Sequence, residues 1–222
     1  HIGNLWIPHN AAGLSMYDPH SESFIRIEDV DARGITSVYS VYEDTKKRLW
    51  VGTNGWGLCF FDRDTHTIKM LRTSDGLPSD VILGILEDSK GNLWLSTNHG
   101  LSRFNPDSLT FRNYDAIDGL QSNQFGRWAF KKLSTGEMLF GGVNGFNLFH
   151  PDKIQDNPIV PPVYITNFKL FNEDVPIGEE SILPQNILLT DRIVLNYNQN
   201  IISFEFTALN FRQSEQNQYR YI

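Results

Sequence analysis

Arg48-Leu49-Trp50-Val51-Gly52-Thr53 and Asn92-Leu93-Trp94-Leu95-Ser96-Thr97 are two copies of one pattern, a short apolar run built on Leu-Trp. Working outward, Asn4-Leu5-Trp6-Ile7 and Glu137-Met138-Leu139-Phe140-Gly141-Gly142 align with them. The tryptophan-equivalent positions are 6, 50, 94 and 139, so the steps are 44, 44 and 45 residues. A glycine turn follows each copy (Gly13, Gly57, Gly100, Gly145), and a second apolar run then ends in an aromatic: Tyr17, Phe61, Phe104 or Phe149. A polar residue comes next each time, at Asp18, Asp62, Asn105 and His150. Agreement of this kind at a fixed period marks a repeat architecture.

One period resolves into four short strands. In the third copy these are Val81–Glu87, Leu93–Thr97, Leu101–Asn105 and Thr110–Tyr114, with turns at 88–92 and 98–100. Asp, Asn and Gly in the turns supply the positive φ that tight hairpins need. No window carries a sustained 3.6-residue apolar period, so helices should be scarce. Four strands per 44 residues is the arithmetic of propeller blades, and a β-solenoid, the competing repeat, has shorter rungs. The expected fold is all-β: a partial β-propeller over residues 1–150, with three to four blades, the first lacking its opening strand. A propeller closes on itself to hide its sheet edges, so the chain reads as a piece of a longer protein.

Composition narrows the function. Apolar residues make up 40% and charged residues 20% of the 222, as in folded soluble proteins. The net charge of −7 offers no basic field to displace counterions, so no nucleic acid partner is expected. Cys59 is the one cysteine and cannot form an internal disulfide. No apolar run approaches the roughly 18 residues that span a bilayer. The six histidines (1, 9, 20, 66, 99, 150) show no i,i+4 or HxH spacing, so neither a metal nor a cofactor is expected.

Beyond the last copy the period stops. Pro151, Pro158, Pro161 and Pro162 cluster there, and proline cannot donate to a sheet ladder, so 151–162 reads as a linker. Residues 163–222 alternate again, as in Ile201-Ile202-Ser203-Phe204-Glu205-Phe206, and suit the start of an Ig-like β-sandwich with four or five strands.

The Leu-Trp-Val-Gly-Thr…Gly-Leu…Phe-Asp repeat, with Asp-Gly-Leu between blades (Asp75-Gly76-Leu77, Asp118-Gly119-Leu120), resembles the two-component regulator propeller. Residues 187–222, especially Asn200–Leu209 and Asn217–Tyr221, resemble the opening of the Tyr-Tyr-Tyr domain. The ordered pair is similar to the periplasmic sensor of hybrid two-component systems in bacteria that degrade polysaccharides. That resemblance implies an oligosaccharide ligand, a homodimer formed through the Tyr-Tyr-Tyr domain, and periplasmic exposure. It also implies a membrane helix, a histidine kinase and a response regulator beyond the segment. The segment itself is then a sensor and not an enzyme, and cannot signal alone.

The fixed phase of Trp6, Trp50 and Trp94 argues for packing between neighbouring sheets rather than ligand stacking. In a propeller, the strand 2–3 turns and the loops leading into each innermost strand emerge on one face, around the channel where ligands gather. The turns carry Asn54, Trp56, Asn98, His99 and Asn144; the loops carry Ser79, Asp80, Asn123 and Gln124, with Arg127 and Trp128 just inside. Trp56 sits in a turn longer than its counterparts, so the repeat does not require it. Indoles with nearby amides and Arg suit a sugar: the ring stacks on C–H faces while the polar groups read hydroxyls or a carboxylate. The bland alternatives are that Trp56 covers a neighbouring blade, and that Arg127-Trp128 supply a channel-lining salt bridge and core packing. Two other functions stay open, a propeller lyase or hydrolase using His99 and a protein-binding scaffold. Ser89-Lys90-Gly91-Asn92-Leu93-Trp94 also resembles the sialidase Asp-box turn, with Ser89 where that motif has aspartate. Glu43-Asp44 and Glu87-Asp88 recur 44 apart and are expected to form turns, not a catalytic carboxylate pair.

Overall fold

The computed structural model describes residues 3–27, 34–63, 65, 67–154 and 162–209. Part of the linker and the Asn217–Tyr221 stretch lie outside these residues, as do His1 and His66. The chain divides into two compact units, 1–155 and 156–222. Among the described residues, helix is confined to four three-residue 3-10 turns, and no helix is long and apolar enough to cross a membrane.

The first unit holds four antiparallel sheets in chain order. β1 (Leu5–Pro8), β2 (Leu14–Asp18) and β3 (Ser23–Arg26) form the first. β4 (Val38–Glu43), β5 (Leu49–Thr53), β6 (Leu58–Asp62) and β7 (Thr67–Leu71) form the second, in sequential order. β8 (Ile82–Glu87), β9 (Leu93–Thr97), β10 (Gly100–Asn105) and β11 (Thr110–Tyr114) repeat it. β12 (Phe125–Lys132), β13 (Met138–Gly142) and β14 (Gly145–Phe149) form the fourth. β4 lies beside β8, and β8 beside β12, so the first strands of successive sheets converge on one side. That is the radial layout of propeller blades, and the strand boundaries of the third copy follow the sequence reading to within a residue.

Three apolar cores fill the gaps between blades, and the repeat explains their composition. Leu49, Val51, Cys59 and Phe61 of the second blade meet Leu14 of the first. Trp50 and Leu58, on the opposite face, meet Leu93, Leu95 and Phe104 of the third. Trp94 and Leu101 then meet Met138 and Phe140 of the fourth. The tryptophan of one blade touches the strand-3 aromatic of the next: Trp6 with Phe61 at 5.9 Å, Trp50 with Phe104 at 5.2 Å, Trp94 with Phe149 at 5.0 Å. The two periodic aromatics of the sequence are therefore halves of one contact. Each buried Trp, Phe or Leu removes enough apolar area from water to contribute about 1.5–3 kcal/mol.

Trp50 and Trp94 are each also tied to a turn. Asp44 accepts hydrogen bonds from the backbone N–H of Lys46 and Arg48 and from Trp50 Nε1 at 3.0 Å. Asp88 accepts from Lys90, Asn92 and Trp94 Nε1 at 3.1 Å. Both carboxylates are buried, so the recurrent aspartates are turn anchors with their acceptor capacity used. In the fourth blade the corresponding pair is Leu133 and Leu139: acceptor and donor are replaced together, which strands neither.

The Asp-Gly-Leu motif is a 3-10 turn with a stop. Asp75 and Asp118 accept the N–H of Arg72 and Asp115, closing Thr73–Asp75 and Ala116–Asp118. Gly76 (φ 115°) and Gly119 (φ 100°) end those turns in the left-handed region, where a side chain would be strained. Leu77 is then directed into the core between the second and third blades.

Residues 151–154, read from sequence as the start of the linker, pack onto the last blade. His150 Nδ1 caps the 3-10 turn Pro151–Lys153 through Asp152 N, Pro151 is buried, and Ile154 rests on the third core. Proline suits the first position of such a turn, so it ends the blade rather than opening a free linker.

In the second unit β15 (Val163–Leu170) pairs with β16 (Glu173–Asp174) on one side and β17 (Ile202–Ala208) on the other, all antiparallel. Phe171 and Asn172, with φ of 55° and 66°, make the two-residue hairpin turn between β15 and β16. Lys169 bridges to Glu205 at 2.6 Å and Asp174 at 3.6 Å, and the Glu205 carboxylate holds its ammonium pKa above the ordinary lysine value. The described residues of this unit contain three strands, and residues 184–201 run through a 3-10 turn and chain outside any strand.

Candidate functional site

The strand 2–3 turns and the loops leading into the innermost strands are hydrogen-bonded to one another, which places them on one face of the first unit. Gly13 N donates to Thr36 O at 2.8 Å, Gly57 N to Asp80 O at 2.8 Å, and Gly100 N to Asn123 O at 2.7 Å. Each bond runs from the turn of one blade to the loop leading into the next.

These bonds separate scaffold from available side chains. Asp80 and Asn123 occupy equivalent positions, and their side chains accept from Thr73 N and Ala116 N at 2.8 and 2.7 Å. Ser79 Oγ accepts from Val81 N. Asn123, counted among the ligand candidates, is committed to holding the 3-10 turn. Gln124 is exposed, and its backbone carbonyl accepts from Val143 N and Gln121 Nε2. Asn144 donates from its backbone N–H to Gln121 Oε1 at 2.7 Å and from Nδ2 to Gln121 O at 3.4 Å. Asn54 donates its backbone N–H to Ser37 O and bridges to Val81, leaving an exposed side chain. Asn98 and His99 are exposed, with His99 N donating to Thr97 Oγ1 at 2.9 Å.

Trp56 is half-buried. It packs against the core between the first and second blades, and the Arg72 guanidinium lies over its ring at 4.7 Å. One face of the indole is therefore already taken.

Arg127 and Trp128 stand apart. Trp128 is 73% exposed and adopts φ 59°, a left-handed conformation rare for a bulky side chain. The Arg127 guanidinium lies 4.6 Å from the centre of the Tyr39 ring and 5.8 Å from that of Trp128, and Nη1 reaches Asn10 Oδ1 at 3.4 Å. Arg127 belongs to the fourth blade, Tyr39 to the second and Asn10 to the first, so this side chain reaches past the third blade along the turn face. Sequence reasoning missed Asn10 and Tyr39. The period contains the first of them: Asn10 follows Trp6 by four residues, as Asn54 follows Trp50 and Asn98 follows Trp94. Nothing in the sequence singles out Tyr39, because its role comes from a side chain 88 positions further along. Among the described residues no three His, Cys, Asp or Glu side chains converge as metal ligands would.

Comparison with known proteins joins this geometry to a class. The family described as the two component regulator propeller matches residues 34–55 and 76–99, the second and third innermost strands and their hairpins. Histidine kinase P4 of Formosa agariphila is 37% identical over 125 residues, 56% of this chain and 9% of that protein. The extracellular domain of the hybrid two-component system BT3049 of B. thetaiotaomicron superposes with a TM-score of 0.70 at 26% identity, over 96% of this chain and 29% of that one. The extracellular domain of BT4673 from the same organism (TM-score 0.53, 21% identity, 92% of this chain and 26% of that one) shares the fold. The chain thus spans less than a third of each of these three chains.

Proposed function

We propose that this chain is part of the extracytoplasmic, ligand-sensing region of a hybrid two-component regulator, and that its ligand is an oligosaccharide. The observation that carries the reading is the match across 96% of the chain, propeller blades and following β unit together, to the extracellular domain of a hybrid two-component system. The turn face supports the ligand class. It offers exposed amides at Asn54, Asn98 and Asn144, an exposed indole and an exposed guanidinium, groups that read hydroxyls and stack on pyranose rings. In this reading the segment faces the periplasm, does no chemistry itself, and the second unit, as the start of a Tyr-Tyr-Tyr domain, pairs with a second copy to relay the ligand's arrival.

Calorimetric titration of the whole extracytoplasmic region against oligosaccharides cut from plant and algal polysaccharides tests the reading. Saturable binding of one glycan without its breakdown is the expected result. Turnover of a glycan, or indifference to every one of them, would remove it.

A further inference from the structure

The innermost strands of successive blades should be interchangeable, and in the second and third blades they are. β4 pairs Val38 with Thr53 and Val41 with Val51, so three steps on β4 oppose two on β5. β8 pairs Ile82 with Thr97 and Ile85 with Leu95, the same three against two. Each blade therefore carries a one-residue bulge. In β12, Phe125 pairs with Gly142 and Phe130 with Phe140, so five steps oppose two. The fourth blade holds two residues more than the repeat, between positions that still match. Phe125 and Phe130 keep the inward packing places of Val38 and Val41, and of Ile82 and Ile85; both lie at the third core. The lengthened stretch, Gly126-Arg127-Trp128-Ala129, stands where the second and third blades have two residues; none of the four belongs to the third core, and the exposed, left-handed Trp128 and the Arg127–Tyr39–Asn10 contact occur in it. Enlarged bulges re-aim side chains, and backbone strain persists where something other than stability selects it.

Charge narrows what the insertion meets. Arg127 has no carboxylate partner among the described residues, in a chain whose net charge is −7. Among the described residues its guanidinium bonds Asn10, at a long 3.4 Å. The guanidinium lies over the Tyr39 ring, and apart from the Nη1 contact with Asn10 its N–H groups meet no acceptor among the described residues; a guanidinium so held can take a planar anion in two parallel hydrogen bonds.

We propose that Arg127 and Trp128 form a recognition element for a uronic-acid-bearing oligosaccharide, the guanidinium binding the carboxylate and the indole supporting the sugar ring. The proposal rests on the glycan-receptor reading above and adds the class of sugar and the residues that select it.

The intact protein is titrated with oligouronides from pectin and alginate, with the same oligomers after carboxyl reduction, and with sulfated galactan oligomers. At least one uronide should bind, and carboxyl reduction should weaken it about tenfold or more. Arg127→Lys, Arg127→Ala and Trp128→Ala should each weaken it by about tenfold, with melting temperatures near that of the wild type. Deleting Arg127 and Trp128 restores the register of β4 and β8, and should keep the fold and abolish binding. Preference for a neutral or sulfated glycan, or binding unmoved by these variants, overturns this proposal and leaves the sensor reading standing. A Trp128→Ala protein destabilised as much as Trp94→Ala, with binding intact, assigns the indole to packing and also overturns it. Failure of every glycan removes both.

Discussion

The third and fourth blades are built from the same repeat and differ in three linked ways. The third has four strands, a buried Asp88–Trp94 hydrogen bond and a one-residue bulge in its innermost strand. The fourth has three strands among the described residues, Leu133 and Leu139 in place of that pair, and two extra residues in its innermost strand. A blade can exchange its polar anchor for an apolar one provided both partners change. It can also lengthen its innermost strand at the face without disturbing Phe125 and Phe130, which hold it to its neighbour. Repetition thus separates what a blade needs from what this blade was given in addition.

The difference between the two blades is largest at Trp94. Trp94→Ala should cost about 3–5 kcal/mol in urea unfolding, because it empties the contact with Phe149 and removes a core side chain. Leu139→Ala, at the equivalent but half-buried position, should cost less than half of that. Equal losses would mean that the two blades are not energetically different.

Asp88→Leu alone should cost about 2–3 kcal/mol, since it leaves the Trp94 indole N–H and two backbone N–H groups unpaired. Adding Trp94→Leu, to copy the fourth blade, should cost less than the sum of the single changes, by about 1 kcal/mol in a double-mutant cycle. Additive losses would deny that the pair acts as a unit.

Gly84 sharpens the interface between the two blades, because a Cβ there would be driven into the Phe130 ring. Gly84→Ala should destabilise by about 1–3 kcal/mol, and Phe130→Leu in the same protein should return part of the loss, read from unfolding midpoints.

A smaller effect concerns the regular neighbours. Tyr42 of the second blade donates to Glu87 of the third at 3.3 Å, and burial, aided by that carboxylate, pushes its phenol up to about 12. A folded-state pKa above the unfolded one means that stability is fully present below the ordinary tyrosine value and is lost as pH rises toward 12. Thermal scans should show this alkaline decline, and Tyr42→Phe should flatten it. The smallest change is expected on the face opposite the turns, where exposed Asp107 bonds Lys46 and Arg48 of the preceding blade at 2.6 and 2.9 Å. Those groups hold its carboxyl below the usual range, but water and salt screen the pair, so Asp107→Asn should barely move the melting temperature.

Much of this was legible because the repeat converts packing into spacing. Tryptophans recurring in phase had to pack between neighbouring sheets, and aspartates recurring with them had to be turn formers. The face carrying Asn54, Asn98 and Asn144 followed from strand order alone. The candidates on it were less legible. Trp56 was singled out for its longer turn, yet Arg72 and the first core occupy it. Asn123 looked available, yet its side chain closes a turn. Both outcomes depend on partners far along the chain, which local patterns do not contain.

The all-β repeat, the strand positions and the faces that pack are written into the amino-acid order, because each follows from periodic burial and turn chemistry within a single unit. That Arg127 reaches Tyr39 and Asn10, and that the innermost strand of the fourth blade carries two surplus residues, emerges when the blades assemble. Register between strands and contact between distant blades are fixed by how whole sheets settle against one another, which no single stretch of the chain encodes.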